Sequence, residues 1–196
     1  MQDQMRQDMV QAWLGITEMS RQRRLGVAPL GIIEDPRWIE DSLARELSRA
    51  QRSVSPLTLV LCQLDARLSL TDVLRQVFIR ACQTSLRRYD YAGRVAKDKF
   101  ILLLPDCYAD AGQGIVHRIL AHIYAATVSL PSVRWRINIG IACFPFDGET
   151  LADLVQAAYG DLEQGYRSAT VASLRGADNR LQEVESHAAS LSGFRS

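Results

Sequence analysis

The chain has 196 residues, a formal net charge of +1, and 47% hydrophobic against 23% charged residues. That balance excludes a disordered chain and a strongly basic nucleic-acid binder, and the length suits one domain of ~100–150 residues with extensions. No apolar run reaches the ~18 residues of a membrane-spanning helix, and the polar start MQDQMRQDMVQ lacks a signal-peptide core.

Residues 3–24 read as a helix, with Met5, Met9, Trp13 and Ile16 near one face at spacings of three and four. That stripe needs a cover, either its own domain or a second helix in a dimerising stalk. Gly and Pro break the chain at 25–31. Asp35-Pro36 then opens a helix as N-cap and first turn, with Trp38, Ile39, Leu43, Leu47 and Ala50 inward and Ser53 to Pro56 as its end. Leu57–Leu64 is an apolar run rich in strand formers and reads as a central strand.

A helix is expected over 72–88, with Val73, Leu74, Val77, Phe78, Ala81 and Leu86 inward. Arg87 and Arg88 then fall in its last turn, where cations suit the helix dipole. Tyr91–Val95 and Phe100–Leu104 read as a hairpin around the turn Ala96-Lys97-Asp98-Lys99. A helix follows over 109–127 (Ala111, Ile115, Val116, Ile119, Leu120 and Ile123 inward), then a strand over 135–144. A helix over 150–166 and a strand over 169–174 complete the order, and a polar stretch follows Gly176. Strands mixed with helices and one hairpin imply an α/β or α+β fold with a mixed sheet.

The four cysteines, Cys62, Cys82, Cys107 and Cys143, have no C-x-x-C spacing. They read as core residues of a reducing cytoplasm. His117 and His122 are five apart on a helix and His187 is remote, so none suggests a metal site. No phosphate-binding Gly-rich loop or nucleophile elbow is present. One oddity is compositional. Of 23 basic residues only Lys97 and Lys99 are lysine; the other 21 are arginine.

Four runs carry a family likeness: LTLVLCQLD at 57–65, RRYDYAGRVAKDKFILLLP at 87–105, RINIGIACFP at 136–145, and residues 148–167. In that order they resemble four parts of the GGDEF domains of bacterial diguanylate cyclases. These are the Asp-x-Asp strand, the inhibitory site with the signature, the Ser-Ile-Gly-Ile-Ala strand, and the last helix. The resemblance implies a nucleotidyl-cyclase-like α+β fold: a mixed, mostly antiparallel five-stranded sheet flanked by helices, with an extra N-terminal helix. The boundaries expected are a helical extension at 1–28, the GGDEF-like domain at 29–176 and a polar tail at 177–196.

The family joins two GTP into cyclic di-GMP, one GTP per domain of a dimer. That chemistry asks for two carboxylates to hold Mg²⁺ against the triphosphate, glycines for close backbone approach, and cations for phosphate. Here the first Asp falls on Gln63, while Asp65 is retained. The following loop, Ala66 to Thr71, is shorter than the family's and carries Leu68 where a lysine is expected. The two signature glycines fall on Ala96 and Lys97. Asp98 is retained, and the final Glu is Lys99. The phosphate-holding Lys and Arg after the last helix fall on Gly165 and Ala169. The expectation is a catalytically inactive domain, with no metal or other cofactor.

The family's product-binding inhibitory site, Arg-x-x-Asp, falls on Arg87 and Asp90, and the arginine that completes it falls on Arg118. A guanidinium can bond the O6/N7 edge of guanine, and a carboxylate can accept from N1–H and N2–H₂. The plainer alternative is that Arg87 is a helix-end charge paired with Asp90.

The implied function is a cyclic di-GMP receptor or adaptor in biofilm, exopolysaccharide or motility control. The rivals are a ligand-independent interaction module and, last, a residual cyclase. Expected partners are cyclic di-GMP and a protein, or a second copy, held by the N-terminal helix. No nucleic-acid polymer and no membrane insertion are expected.

Overall fold

From Leu57 onward, side chains alternate between two cores. Leu57, Leu59 and Leu61 enter one; Val60, Cys62 and Leu64 enter the other. A pleated strand sends successive side chains to opposite faces, so this run must be central and covered on both sides. In the computed structural model, residues 32–33, 36–66, 71–128 and 135–168 are described. Their elements are β1 (Ile32–Ile33), α1 (Pro36–Ser53), β2 (Leu57–Ala66), α2 (Thr71–Ser85), β3 (Tyr91–Arg94), β4 (Lys99–Pro105), α3 (Ala109–Thr127), β5 (Trp135–Phe144) and α4 (Leu151–Ser168). The chain divides into a unit of residues 1–166 and a unit of 167–196, nearly all of the latter outside the described residues.

The sheet order is β1-β3-β4-β2-β5. The β2–β4, β2–β5 and β3–β4 pairings are antiparallel, and only β1–β3 is parallel. On one face α1 (Ile39, Leu43, Leu47) and α4 (Leu154, Val155, Ala158, Leu162) pack over Leu57, Leu59, Leu61, Ala142 and Phe144. On the other, α2 (Leu74, Phe78, Cys82) and α3 (Ile115, Ile119, Ile123) cover Val60, Cys62, Phe100 and Leu102. Phe78 and Phe100 are the aromatic centre of that face, 4.6 Å between centroids.

Two carboxylates cap the outer edge of β5. Ile141 N–H donates to Asp161 Oδ2 at 2.9 Å, and Cys143 N–H to Asp147 Oδ2 at 2.7 Å. Among the described residues no strand pairs with that edge, and negative charge on an edge discourages pairing with another chain. Arg49 of α1 bonds Glu46 at 3.3 Å and Asp106 at 3.0 Å, tying α1 to the loop after β4.

The layout expected from the sequence holds for four strands and four helices, with three corrections. The helix expected over 72–88 ends at Ser85. Leu86 N–H still reaches Cys82 O at 2.8 Å, but Asp90 N–H then closes a turn onto Arg87 O at 3.1 Å. Second, Val73 is 45% exposed and Ala111 is exposed, because both sit on the rim of their helical stripes. Third, the sheet has four full strands from the expected set; the fifth expected strand, 169–174, lies outside the described residues. What joins the sheet instead is β1, two isoleucines too short to show an alternation. The expected helix at 3–24 and the polar tail at 177–196 also lie outside the described residues. Cys62, Cys82, Cys107 and Cys143 are all buried and free. Among the described residues no helix is long and apolar enough to cross a membrane.

Candidate functional site

The signature region forms at one end of the sheet because β2 and β4 bring it there. Gln63 lies opposite Lys99 on β4 and opposite Asn138 on β5, and Asp65 lies opposite Arg136. The alternation of β2 puts Gln63 and Asp65 on the α1/α4 side, like Leu57, Leu59 and Leu61. Leu64 N–H donates to Asp98 O at 2.8 Å, which docks the turn on the end of β2. Within the turn, Val95 and Ala96 N–H point to Lys99 O at 3.0 and 3.3 Å. Arg94 Nε donates to Ala96 O at 3.1 Å and braces it from below. Gln63, Asp65, Ala96, Lys97, Asp98 and Lys99 are thus neighbours. Asp65 and Lys97 are exposed; Gln63, Ala96, Asp98 and Lys99 are half-buried. Among the described residues no three His, Cys, Asp or Glu side chains converge on one point.

The second cluster lies at the other end of β3. Arg87 to Asp90 form a closed four-residue turn. Asp90 N–H donates to Arg87 O at 3.1 Å, and Arg87 N–H donates to Asp90 Oδ2 at 2.7 Å. The Asp side chain thus ties the turn to its own first residue, a use that suits a short acceptor. Arg118 arrives from α3, which packs against α2, and its Nη2 donates to Ser85 O at 3.4 Å. The sequence placed Arg87 on the carbonyl end of α2; the structure puts Arg118 there instead. Arg87, Asp90 and Arg118 therefore surround one helix end.

Arg87 itself turns elsewhere. Its Nη1 donates to Tyr89 Oη at 3.0 Å, and its guanidinium carbon lies 5.8 Å from the Tyr89 ring centroid. Among the described residues, neither Arg87 nor Arg118 forms an ion pair with the Asp90 carboxylate. Burial pushes the Asp90 carboxyl above its usual value, against the pull of the Arg87 N–H and of the Arg87 and Arg118 charges. A half-buried carboxylate thus sits beside two guanidiniums, one bonded to Tyr89 Oη and the other to Ser85 O. It is also the kind of perturbed group found at functional sites. Tyr89 is the residue that sequence reasoning missed. Its only signal was an aromatic between the Arg and the Asp of the motif.

His117 and His122 are both exposed. An open cleft of about 750 Å³ between the start of α3 and α4 is lined by Asp147, Asp153 and Asp161. Two of these are the carboxylates already occupied with the β5 edge.

No curated protein matches the sequence significantly. Among solved structures, the GGDEF domain of Pseudomonas aeruginosa TpbB (YfiN) is similar at 23% identity and a TM-score of 0.58, covering 80% of this chain and 99% of that one. The active GGEEF domain of a Vibrio cholerae diguanylate cyclase is similar at 15% and 0.59, covering 71% and 93%. The GGDEF domain of Caulobacter crescentus DgcB, solved in complex with cyclic di-GMP, is similar at 12% and 0.54, covering 76% and 95%. At these identities the likeness is one of fold. The family itself is shown by the sequence match: residues 30–169 fit the model of the diguanylate cyclase GGDEF domain, and the chain belongs to that family.

Proposed function

We propose that this GGDEF domain is a receptor for cyclic di-GMP and not a cyclase, acting in biofilm, exopolysaccharide or motility control. One observation carries the reading: Arg87, Asp90 and Arg118 meet around the end of α2, and neither guanidinium is spent on the Asp90 carboxylate, Arg87 bonding Tyr89 Oη and Arg118 bonding Ser85 O. A guanidinium presents a fork of donors to O6 and N7 of guanine, and Asp90 accepts from its Watson–Crick edge. The DgcB structure, with its bound cyclic di-GMP, supports the choice of ligand.

The signature end supports the loss of catalysis. Mg²⁺ asks for hard oxygen ligands in near-octahedral array. The residues here do not fit it. Asp65 and Asp98 are the two carboxylates of the signature region, Gln63 brings no charge, and Lys99 stands in register with Gln63. An ammonium group beside a divalent cation is repelled strongly in a partly dry site. Incubation with GTP and Mg²⁺, followed by chromatography, tests this half: no cyclic di-GMP is expected, and stoichiometric product would refute it. Arg118→Ala should weaken cyclic di-GMP binding without unfolding the domain, since its bond to Ser85 O is long.

A second reading has its own observation. Tyr108 and Phe146 are exposed, with ring centroids 6.4 Å apart. A ligand-independent dimer or complex, unchanged by Arg87→Ala and lost in Phe146→Ala, would favour an interaction module.

A further inference from the structure

The turn between Arg87 and Asp90 does more than bring two charged residues together. Both of its ends are fixed, by Asp90 N–H to Arg87 O and by Arg87 N–H to Asp90 Oδ2. The residues between them are held by that closure, and Tyr89 is one of them. Tyr89 is 51% exposed. Its hydroxyl accepts from Arg87 Nη1 at 3.0 Å, and the guanidinium carbon is 5.8 Å from the ring centroid. That separation is near the outer limit of a cation–π contact. The hydrogen bond, more than the π contact, therefore sets the place of the guanidinium, and half of the tyrosine stays open to solvent. Among the described residues, Tyr89 is the one acceptor of the Arg87 side chain. Four of its five N–H groups remain for a ligand.

We propose that Tyr89 is the purine platform of this site. Its hydroxyl positions the Arg87 guanidinium, and its exposed ring stacks on a guanine base whose O6/N7 edge that guanidinium bonds. The inference rests on the receptor reading above. It adds a residue inside the Arg-x-x-Asp turn to the ligand contacts. It also separates two contributions of one side chain. The hydroxyl pre-orients an arginine that otherwise samples many rotamers, and the ring supplies stacking, which tolerates any flat aromatic.

Isothermal titration with cyclic di-GMP on wild type, Tyr89→Phe, Tyr89→Trp and Tyr89→Ala separates them. Tyr89→Ala should weaken binding about tenfold or more, and Tyr89→Phe about threefold, because stacking survives while positioning is lost. Tyr89→Trp should bind like Tyr89→Phe and report directly. Its added fluorescence, taken against the wild-type signal of Trp13, Trp38 and Trp135, should be quenched on saturation by a stacked guanine. Melting temperatures should stay equal across the series, since the side chain lies on the surface. Equal affinity of wild type and Tyr89→Ala, or an unquenched Trp in a saturated Tyr89→Trp, overturns this inference and leaves the receptor reading intact. No binding by wild type overturns the receptor reading, and this inference with it.

Discussion

Gly140→Ala should be among the most damaging single-methyl changes in this domain. Gly140 sits on β5 opposite Leu61, where α4 crosses the sheet. A Cβ built there would lie 1.8 Å from the Ala158 carbonyl oxygen, 2.7 Å from Leu162 N and 2.8 Å from Leu162 Cβ. Two of these three atoms are backbone, so no rotamer change relieves the clash. Reaching an ordinary van der Waals separation of roughly 3.5 Å requires α4 to withdraw by about 1.7 Å. A gap of that size under Leu154, Val155, Ala158 and Leu162 forfeits much of their contact with Leu57, Leu59, Leu61 and Ala142. Overpacking typically costs 1–3 kcal/mol, and this one should cost about 3 kcal/mol or more. Urea unfolding followed by circular dichroism should show the midpoint falling by about 1.5 M or more at unchanged slope. Gly114→Ala and Gly160→Ala are the controls. A Cβ at either meets nothing within 4 Å, so each should be neutral or stabilise its helix by about 0.5–1 kcal/mol. A Gly140→Ala loss below about 1 kcal/mol would refute the packing argument.

Ser42→Ala should stabilise by about 1 kcal/mol, because among the described residues Ser42 Oγ is buried with no hydrogen-bond partner, beside a cavity of about 10 Å³; a destabilised variant in the same urea assay contradicts this. Burial pushes the Cys62 thiol up to about 12, from an unfolded value of 9.0. A folded-state value raised in this way means stability that is complete below pH 9 and lost above it, by about 1.4 kcal/mol per pH unit while the unfolded thiol alone ionises. Urea midpoints at pH 8 and pH 10 should show that decline, and Cys62→Ala should make it shallower without abolishing it, because burial raises Cys82 and Cys107 as well; a flat wild-type profile counts against it. All four thiols should resist a disulfide reagent until the chain unfolds, and one fast equivalent would contradict their burial. Asp90→Asn should weaken ligand binding yet raise stability at pH 7. The folded carboxyl lies above its unfolded value, so its stability is greatest in acid and falls as pH rises through the folded value, a loss the amide does not suffer. Lower stability of Asp90→Asn at pH 7 would show the carboxylate to be structural.

Much of this was legible in the sequence because its causes are local. The apolar run at 57–64 names a buried strand, and the apolar stripes of α1, α3 and α4 each name a face that has to be buried. The four cysteines read correctly as core residues for the same reason. The end of α2 was misplaced because Arg87 and Arg88 are good helix formers. The turn that stops the helix depends on Asp90 reaching back three residues, a side-chain bond that propensity does not report. β1 was missed because two residues cannot show a period; their pairing with Ala92 and Gly93 is a long-range contact. For the site, spacing and family likeness named Arg87, Asp90 and Arg118. The sequence could not say that Arg118, not Arg87, would meet the carbonyl end of α2, nor that Tyr89 would hold the Arg87 side chain.

On the proposed reading, the arginines and carboxylate around the end of α2 bind cyclic di-GMP. Isothermal titration of the full chain with cyclic di-GMP, wild type against Arg87→Ala, tests it most directly. Arg87 is exposed and its backbone N–H, which closes the turn, survives the substitution. Wild type should give saturable heat at micromolar protein, and Arg87→Ala none at the same melting temperature. No heat from wild type well above micromolar protein, or equal heat from both, would contradict it.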